Sequence, residues 1–472
     1  MAEHVHDCIV VGAGPAGAAA ALQMARDGLD VVVFERGKRP GEKNVMSGVL
    51  VTRKLHALVP DFRQRAPLQR CITEEIVCIL GEDEVLRLPA IRNYHRLSHP
   101  HPGFTVFRSE FDAWFAQEAV DAGAELIPAT LVEDLMWENG RVAGVHTRRG
   151  DLRARVVIGA DGVNSTVAEK SGLRSPPQPA EVSLIVRQVL DLPAEQIEER
   201  FALQPGEGVI LQFGGLVSGA PPVPPNFGGA GGRPGGQSAY YTELYTNRDS
   251  LSMTAEVPLD VLQACGVPLY DVLSARERHP YIARLIQGAK LREYQAHLIP
   301  WGGVDDLSCL YGDGVLLAGD AGKFTTEDGV GSWPAMASGA AAALVVKYAC
   351  EKGDFSRTTL AVYRDFLDEE GLIETQREAR QAWQHEGWYG KIRRRYPDRL
   401  LRIARRYSDG WVIGEGEHPY SLWGELYHSL VKPVAPWYVR WPLGLATWVD
   451  TLRWRRQGRS SDFSRFGSVM DD

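Results

Sequence analysis

The apolar positions of this chain fall into two styles, unbroken short runs and alternating ones, and the two styles mark different parts of the molecule. In residues 7–36 the run Cys8 to Val11 is apolar without interruption, as in a strand covered on both faces. It stops at Gly12-Ala13-Gly14-Pro15-Ala16-Gly17. An Ala-rich segment follows and closes at Gly28, and a second apolar run, Val31 to Phe34, delivers Glu35. The pattern predicts strand, glycine turn, helix and strand. The same style returns at Val156 to Gly159, which runs into Ala160-Asp161-Gly162, and at Val315 to Ala318, which ends in Gly319-Asp320. An Ala-rich helix is predicted after the last of these, with Gly329 and Gly331 just before its start.

Between these runs, Phe111, Phe115, Ala119 and Val120 recur at helical spacing and predict a helix that opens after Arg108 with Ser109 as its cap. Asn139-Gly140 marks a hairpin turn between alternating strands. Residues 175–300 change style. Proline-broken strands such as EVSLIVRQVLDLP and SLSMTAEVPLD predict a separate antiparallel sheet. Residues 219–237, GAPPVPPNFGGAGGRPGGQ, carry too little apolar surface to repay ordering and are expected to be a mobile insertion. The C-terminal stretch reads as helical, and Trp441, Leu445, Trp448 and Leu452 share one helical face among Arg440, Arg453, Arg455 and Arg456. That face suits either a membrane surface, with indoles at the headgroups, or packing on protein. The expected fold class is therefore α/β. A discontinuous Rossmann-type domain would take residues 1–174 and 301–350, an antiparallel substrate or quinone domain 175–300, and a helical region 351–472.

The first run carries the clearest chemistry. Gly12 allows a tight turn off the strand, Gly14 lets backbone approach a pyrophosphate, and Gly17 lets the helix pack closely on the sheet. The helix N-terminus then presents unpaired N–H groups and the positive end of its dipole to phosphate, with Pro15 suited to the first turn. Glu35 stands where a carboxylate accepts hydrogen bonds from ribose hydroxyls. After Glu35-Arg36, the pair Ser47-Gly48 allows backbone to lie against a flat ring. These features predict dinucleotide binding.

Composition narrows the function classes. The chain has 472 residues, 44% hydrophobic and 24% charged, enough for two or three domains with real cores. A net charge of −8 argues against a nucleic-acid partner. MAEHVHD is too polar for a signal peptide and no stretch holds eighteen apolar residues, so a cytoplasmic protein is expected, peripheral on the inner face of the cytoplasmic membrane if the tail rests on lipid. The six cysteines are scattered with no CxxC pair, and His95, His99 and His101 are interrupted by Pro100 and Pro102, so no metal or iron–sulfur cluster is expected.

GAGPAG with Glu35-Arg36, IGADG at 158–162 and LLAGDAGKF at 316–324 together resemble the FAD-dependent oxidoreductase superfamily of the hydroxybenzoate-hydroxylase type. That superfamily also includes geranylgeranyl reductases and electron-transfer-flavoprotein:quinone oxidoreductases, and within it GEKNVMSGVL, TVFRSEFDAWFAQEAVDAGAELI, ELYTNRDSLSM and IRRRYPDRLLRIARR are similar to the FixC group of membrane-associated flavoprotein subunits. The resemblance implies FAD, with Gly12, Gly14, Gly17 and Glu35 on the ADP half, Arg108 and Asp320 on the pyrophosphate and ribityl part, and the Gly329–Gly331 turn under the flavin. Pro15, Ala16, Arg36, Ser47, Gly48, Val132, Asp161, Gly162 and Gly319 complete the implied cofactor set, and no catalytic side chain is implied. It also implies partners: an electron-transfer flavoprotein as donor, and a quinone or a small iron–sulfur ferredoxin as acceptor. DGVGSWPAMASG resembles a prenyl-reductase pattern. A stand-alone NAD(P)H-fed monooxygenase or C=C reductase therefore stays open, as does a structural flavin-binding subunit of a larger complex.

Overall fold

A computed structural model describes residues 4–42, 47–88, 92–215, 241–266, 268–301, 303–304, 306–326, 330–385 and 401. The insertion expected at 219–237, Gly329 and the Trp-rich tail lie outside the described residues.

The first predicted unit folds as read. β1 (Val5–Val11) is followed by α1 (Pro15–Arg26) and by β2 (Val31–Phe34), with β1 and β2 paired in parallel. The Gly150–Gly159 strand pairs with β1 on its other side, and the Val315–Leu317 strand pairs with Gly150–Gly159, both in parallel. Glu125–Ile127 extends the sheet beyond β2. Three chain segments, each leaving the C-terminal end of a strand, thus reach one edge together: Gly12 after β1, Ala160 after Gly150–Gly159, and Ala318 after Val315–Leu317. That edge is where open α/β sheets bind their ligands.

Backbone contact holds this layer. The Ser332–Lys352 helix is buried almost all round, with Ala335, Met336, Ala337, Ala340, Ala341, Ala342 and Ala343 inside, as expected of a helix at the core of a larger layer. Its small residues let α1 come close. A Cβ at Gly339 would stand 2.0 Å from the Ala16 carbonyl oxygen, and one at Gly17 would stand 1.8 Å from that of Gly12. Buried Tyr363 locks the arrangement by donating toward the carbonyls of Leu317 and Ser338, each at 3.0 Å.

The second sheet is larger in sequence reach than the patterning predicts. Val182–Asp191, Ser250–Pro258 and Lys290–Pro300 are the antiparallel strands expected between 175 and 300. The same sheet also takes Ser47–Leu50, Leu68–Leu80, Val85–Arg87 and Phe104–Phe107, which the sequence division put with the first domain. The chain crosses to the second sheet after β2, returns through the Arg108–Asp121 helix, and crosses again after residue 181. Alternation could not reveal this, because Leu68–Leu80 is buried at most positions and carries no period-two signal. The helix after Phe107 also starts two residues earlier than expected: its N-cap is Phe107, not Ser109.

One face of the second sheet, including Leu211, Phe213, Leu244, Met253 and Ala255, packs against the Leu259–Cys265, Leu269–Glu277 and Pro280–Ile286 helices. The other face is more polar, with Ile210 and Tyr245 as an apolar patch on it. Strand register puts Gln212, Glu243, Thr254, Arg187 and Gln295 in one row across five strands.

Because Gly339 leaves no room for a methyl group, Gly339→Ala must push α1 away from the Ser332–Lys352 helix. We expect it to destabilise the protein by about 1–3 kcal/mol, the usual cost of overpacking a tight contact. A fall in the thermal unfolding midpoint, with loss of bound cofactor at a lower temperature than in the parent protein, checks this.

Candidate functional site

A cleft of about 320 Å³ lies at the edge where the three segments meet, lined among others by Gly12, Gly14, Glu35, Arg36, Val132, Asp161, Gly162 and Asp320. Gly12 turns there with φ of 101°, and a Cβ on it would stand 2.4 Å from the Ala160 carbonyl oxygen. Only glycine lets the two turns touch in this way. α1 begins on the next turn with Gly14 as N-cap and Pro15 in its first turn. It has no side-chain cap and no acidic residue there, so its first N–H groups face the cleft without a side-chain acceptor. Ala16 is buried behind them.

Arg108 reaches the same point from the other side. Its Nη2 lies 4.0 Å from where a Gly14 Cβ would be, and its Nε and Nη2 donate to the two Asp112 carboxylate oxygens at 2.6 and 2.8 Å. The fork-on-carboxylate geometry fixes the guanidinium plane. Burial works against the charge on Arg108, but Asp112, and after it Asp320, hold its pKa above the ordinary value. A permanent cation is thereby aimed at an uncapped helix N-terminus, an arrangement suited to a phosphate diester.

Glu35 is almost wholly buried and already oriented. Its Oε2 accepts from the Ala13 N–H at 3.2 Å and its Oε1 from the Gly37 N–H at 2.6 Å. Arg36 beside it is exposed at the cleft rim, and Val132 forms part of the wall. Asp161 behaves differently from the reading of its motif. Its carboxylate accepts from the Ser165 hydroxyl at 2.5 Å and from the Val167 N–H at 3.1 Å, so it holds the Ser165 cap and a first-turn N–H of the Thr166–Lys170 helix. What Asp161-Gly162 present to the cleft is therefore largely the turn itself, with Gly162 at φ of 84°.

Asp320 sits in the Gly319–Gly322 turn, with the Gly319 N–H donating to the Ser338 hydroxyl at 2.9 Å. Burial pushes the Asp320 carboxyl up to about 6, against the pull of Arg108 and Arg174. Gly331, the N-cap of the Ser332–Lys352 helix, lies so close that a Cβ on it would be 3.5 Å from Asp320 Oδ1. That helix start likewise has no side-chain cap and no acid in its first turn, and the buried Ser332 hydroxyl has no partner. A second uncapped helix end with an orphaned hydroxyl thus lies next to a buried carboxyl group.

Ser47 and Gly48 stand in the second sheet, paired with Phe107 and Val106, beside the residue that precedes Arg108. Three further residues belong to the site without having been legible. Asp112 is the partner that orients Arg108, and only its spacing of four within the helix hinted at that. Arg174 donates to the carbonyls of Ala321 at 3.0 Å and Val163 at 2.8 Å, tying the two Asp-bearing turns together. His297 enters the cleft from the second sheet. Burial lowers its pKa to about 4, reinforced by the nearby charges of Arg108 and Arg36, so it is neutral at neutral pH. No local pattern around His297 distinguishes it from its strand neighbours.

Residues 7–173 match the family described as FAD dependent oxidoreductase. The chain is 38% identical over 371 residues to Protein FixC of Escherichia coli (strain K12), covering 78% of this chain and 82% of that one. It is 37% identical over 372 residues to the probable electron transfer flavoprotein-quinone oxidoreductase YdiS of the same organism, covering 78% and 82%. Among solved structures it superposes on a geranylgeranyl bacteriochlorophyll reductase-like protein of Thermoplasma acidophilum with a TM-score of 0.67 at 20% identity, over 92% of this chain and 99% of that one, a likeness of fold. The chain is thus an FAD-dependent oxidoreductase and belongs to the FixC family.

Proposed function

We propose that this FAD enzyme accepts electrons from an electron-transfer flavoprotein and passes them to a quinone or to a small iron–sulfur ferredoxin. The observation that carries the reading is the 37% identity, across most of both chains, to a relative named for the first of these reactions. Bound FAD supplies the two-electron redox chemistry. The protein's part is to bind it, orient it and control what reaches it.

In this reading Gly12, Gly14 and the α1 N-terminus hold the pyrophosphate with Arg108, while Glu35 accepts from the ribose hydroxyls of the adenosine half. Asp320 accepts from a ribityl hydroxyl. The Ser332–Lys352 helix N-terminus, with Gly331 and the Ser332 hydroxyl, offers donors to the carbonyl edge of the ring system. His297 closes the cleft from the second sheet as a neutral group, adding no charge beside Arg108. No side chain is assigned as a general base, since electron transfer to a quinone or cluster needs none from the protein.

Anaerobic spectroscopy tests the relay. A reduced electron-transfer flavoprotein is expected to bleach the FAD band near-stoichiometrically, and a short-chain quinone to restore it, with NADPH inert. Rapid bleaching by NADPH and no response to the flavoprotein would overturn the relay in favour of a stand-alone monooxygenase or reductase.

The elevated Asp320 pKa gives a second expectation. An ionised carboxylate is the better acceptor for a hydroxyl, so cofactor binding releases the proton and affinity rises with pH. For a group titrating near 6, the gain between pH 5 and pH 7 is roughly tenfold, as the ionised fraction rises from about a tenth to about nine-tenths. In the protein without cofactor the same shift acts the other way: stability contributed by protonated Asp320 is lost as pH rises from 3.8 through about 6. FAD fluorescence quenching should show the pH slope in the parent protein and its absence in Asp320→Asn.

A further inference from the structure

At the opposite end of the first sheet from the cleft, two histidines and a carboxylate meet. His4 and His6 are two positions apart in extended chain, so both project on one side of β1. Asp30 precedes β2, the neighbouring parallel strand. Its position is set by backbone: Gly28 turns the chain after α1 with φ of 78°, the Asp7 and Cys8 N–H groups donate to the Asp30 carbonyl at 3.0 and 3.2 Å, and the Asp30 N–H donates to Asp7 Oδ2 at 3.0 Å. Asp30 Oδ2 then lies 2.7 Å from His4 Nε2 and 3.0 Å from His6 Nδ1. The two imidazoles meet edge to face with centroids 4.5 Å apart.

We propose that His4, His6 and Asp30 form a binding site for one divalent transition-metal ion of the imidazole-preferring kind, with Zn2+ as the representative. The three ligand atoms lie within 4.8 Å of one another. A tetrahedral ion bonded at 2.0–2.2 Å needs neighbouring ligand atoms about 3.3 Å apart, so the two contacts to Asp30, at 2.7 and 3.0 Å, have to open by about half an ångström and the two imidazole nitrogens to settle at the same spacing. Side-chain rotation supplies that, because His4 and Asp30 are largely solvent-exposed while His6, 14% exposed, anchors the site. Water completes the fourth position. The charge balance also fits. Among the described residues Asp30 pairs with no Lys or Arg, and Asp7, on the other side of the strand, is paired with Arg155. Two neutral imidazoles and one carboxylate suit a dication. Binding moves each ring proton now facing Asp30 to the other ring nitrogen, so the ligand set needs no redox step and no co-reactant.

The site lies at the start of β1, and the cofactor turn lies at its end, roughly 20 Å away for seven residues of strand. A metal here acts by clamping the first two strands together, not by touching the flavin. It depends on nothing assigned in the cleft.

Tag-free, chelator-treated holoprotein titrated calorimetrically with Zn2+ tests the proposal, with the flavin spectrum as a check on folding. The expected result is one equivalent bound, and binding at least about tenfold weaker in His6→Gln and in Asp30→Asn, a loss of the size that even outer-sphere changes bring. Exposed His4→Gln, which removes a ligand without disturbing the core, should weaken binding in the same way while the flavin spectrum stays unchanged. Zn2+ should also raise the unfolding midpoint of the parent protein and not of the variants. No stoichiometric binding, or equal binding in all three variants, as if the ion sat instead among His56, His99 and His101, would overturn the proposal.

Discussion

The close approach of bare backbone at the sheet edge is the constraint on which the rest of this structure depends. Gly12 touches Ala160, Gly17 touches Gly12, and Gly339 touches Ala16, each at a separation that forbids a Cβ. These contacts bring three strand ends and two uncapped helix N-termini within reach of one cleft. Small residues in the Ser332–Lys352 helix follow from that need, since any larger side chain facing α1 would separate the two helices and spread the site.

Charge is arranged around the same cleft with more restraint than its residue types suggest. Asp112 fixes Arg108, and Arg174 ties together the carbonyls of Val163 and Ala321 while its charge also acts on Asp320. Asp161 is consumed by its own helix. Burial pushes the Asp320 carboxyl up to about 6, and His297 opposite stays neutral because it is buried, with Arg108 and Arg36 adding to the effect. The result is a site with donors and one fixed cation for phosphate, and acceptors placed for hydroxyls.

The second sheet is built into this arrangement and not appended to it. Phe107 ends a strand of that sheet and immediately precedes Arg108, so the sheet register sets where the guanidinium begins. The Phe107 ring in turn lies beneath Arg187 and Arg292, whose guanidinium carbons stand 5.8 and 5.9 Å from its centre. Strand pairing, aromatic contact and the Arg108–Asp112 fork therefore couple the polar face of the second sheet to the cleft.

Local chemistry alone determined the βαβ unit, the helix after Phe107, the Asn139-Gly140 hairpin and the strands ending at Asp161 and Asp320, because turn glycines and unbroken apolar runs act within a few residues. The likeness to FixC proteins was legible for the same reason, being carried in short contiguous motifs. Tertiary structure decided what those motifs could not contain. Ser47-Gly48 went to the second sheet because Phe107 and Val106 offered a strand to pair with, and Asp161 was drawn to the helix start because the Ser165 cap and the Val167 N–H lay within reach. His297 and Arg174 joined the cleft from distant segments, and His4, His6 and Asp30 met across a strand pair. Asp161 apart, whose partners are only four and six residues away, these outcomes rest on contacts between residues far apart in the chain, and pairing of that kind has no period or spacing for a sequence to display.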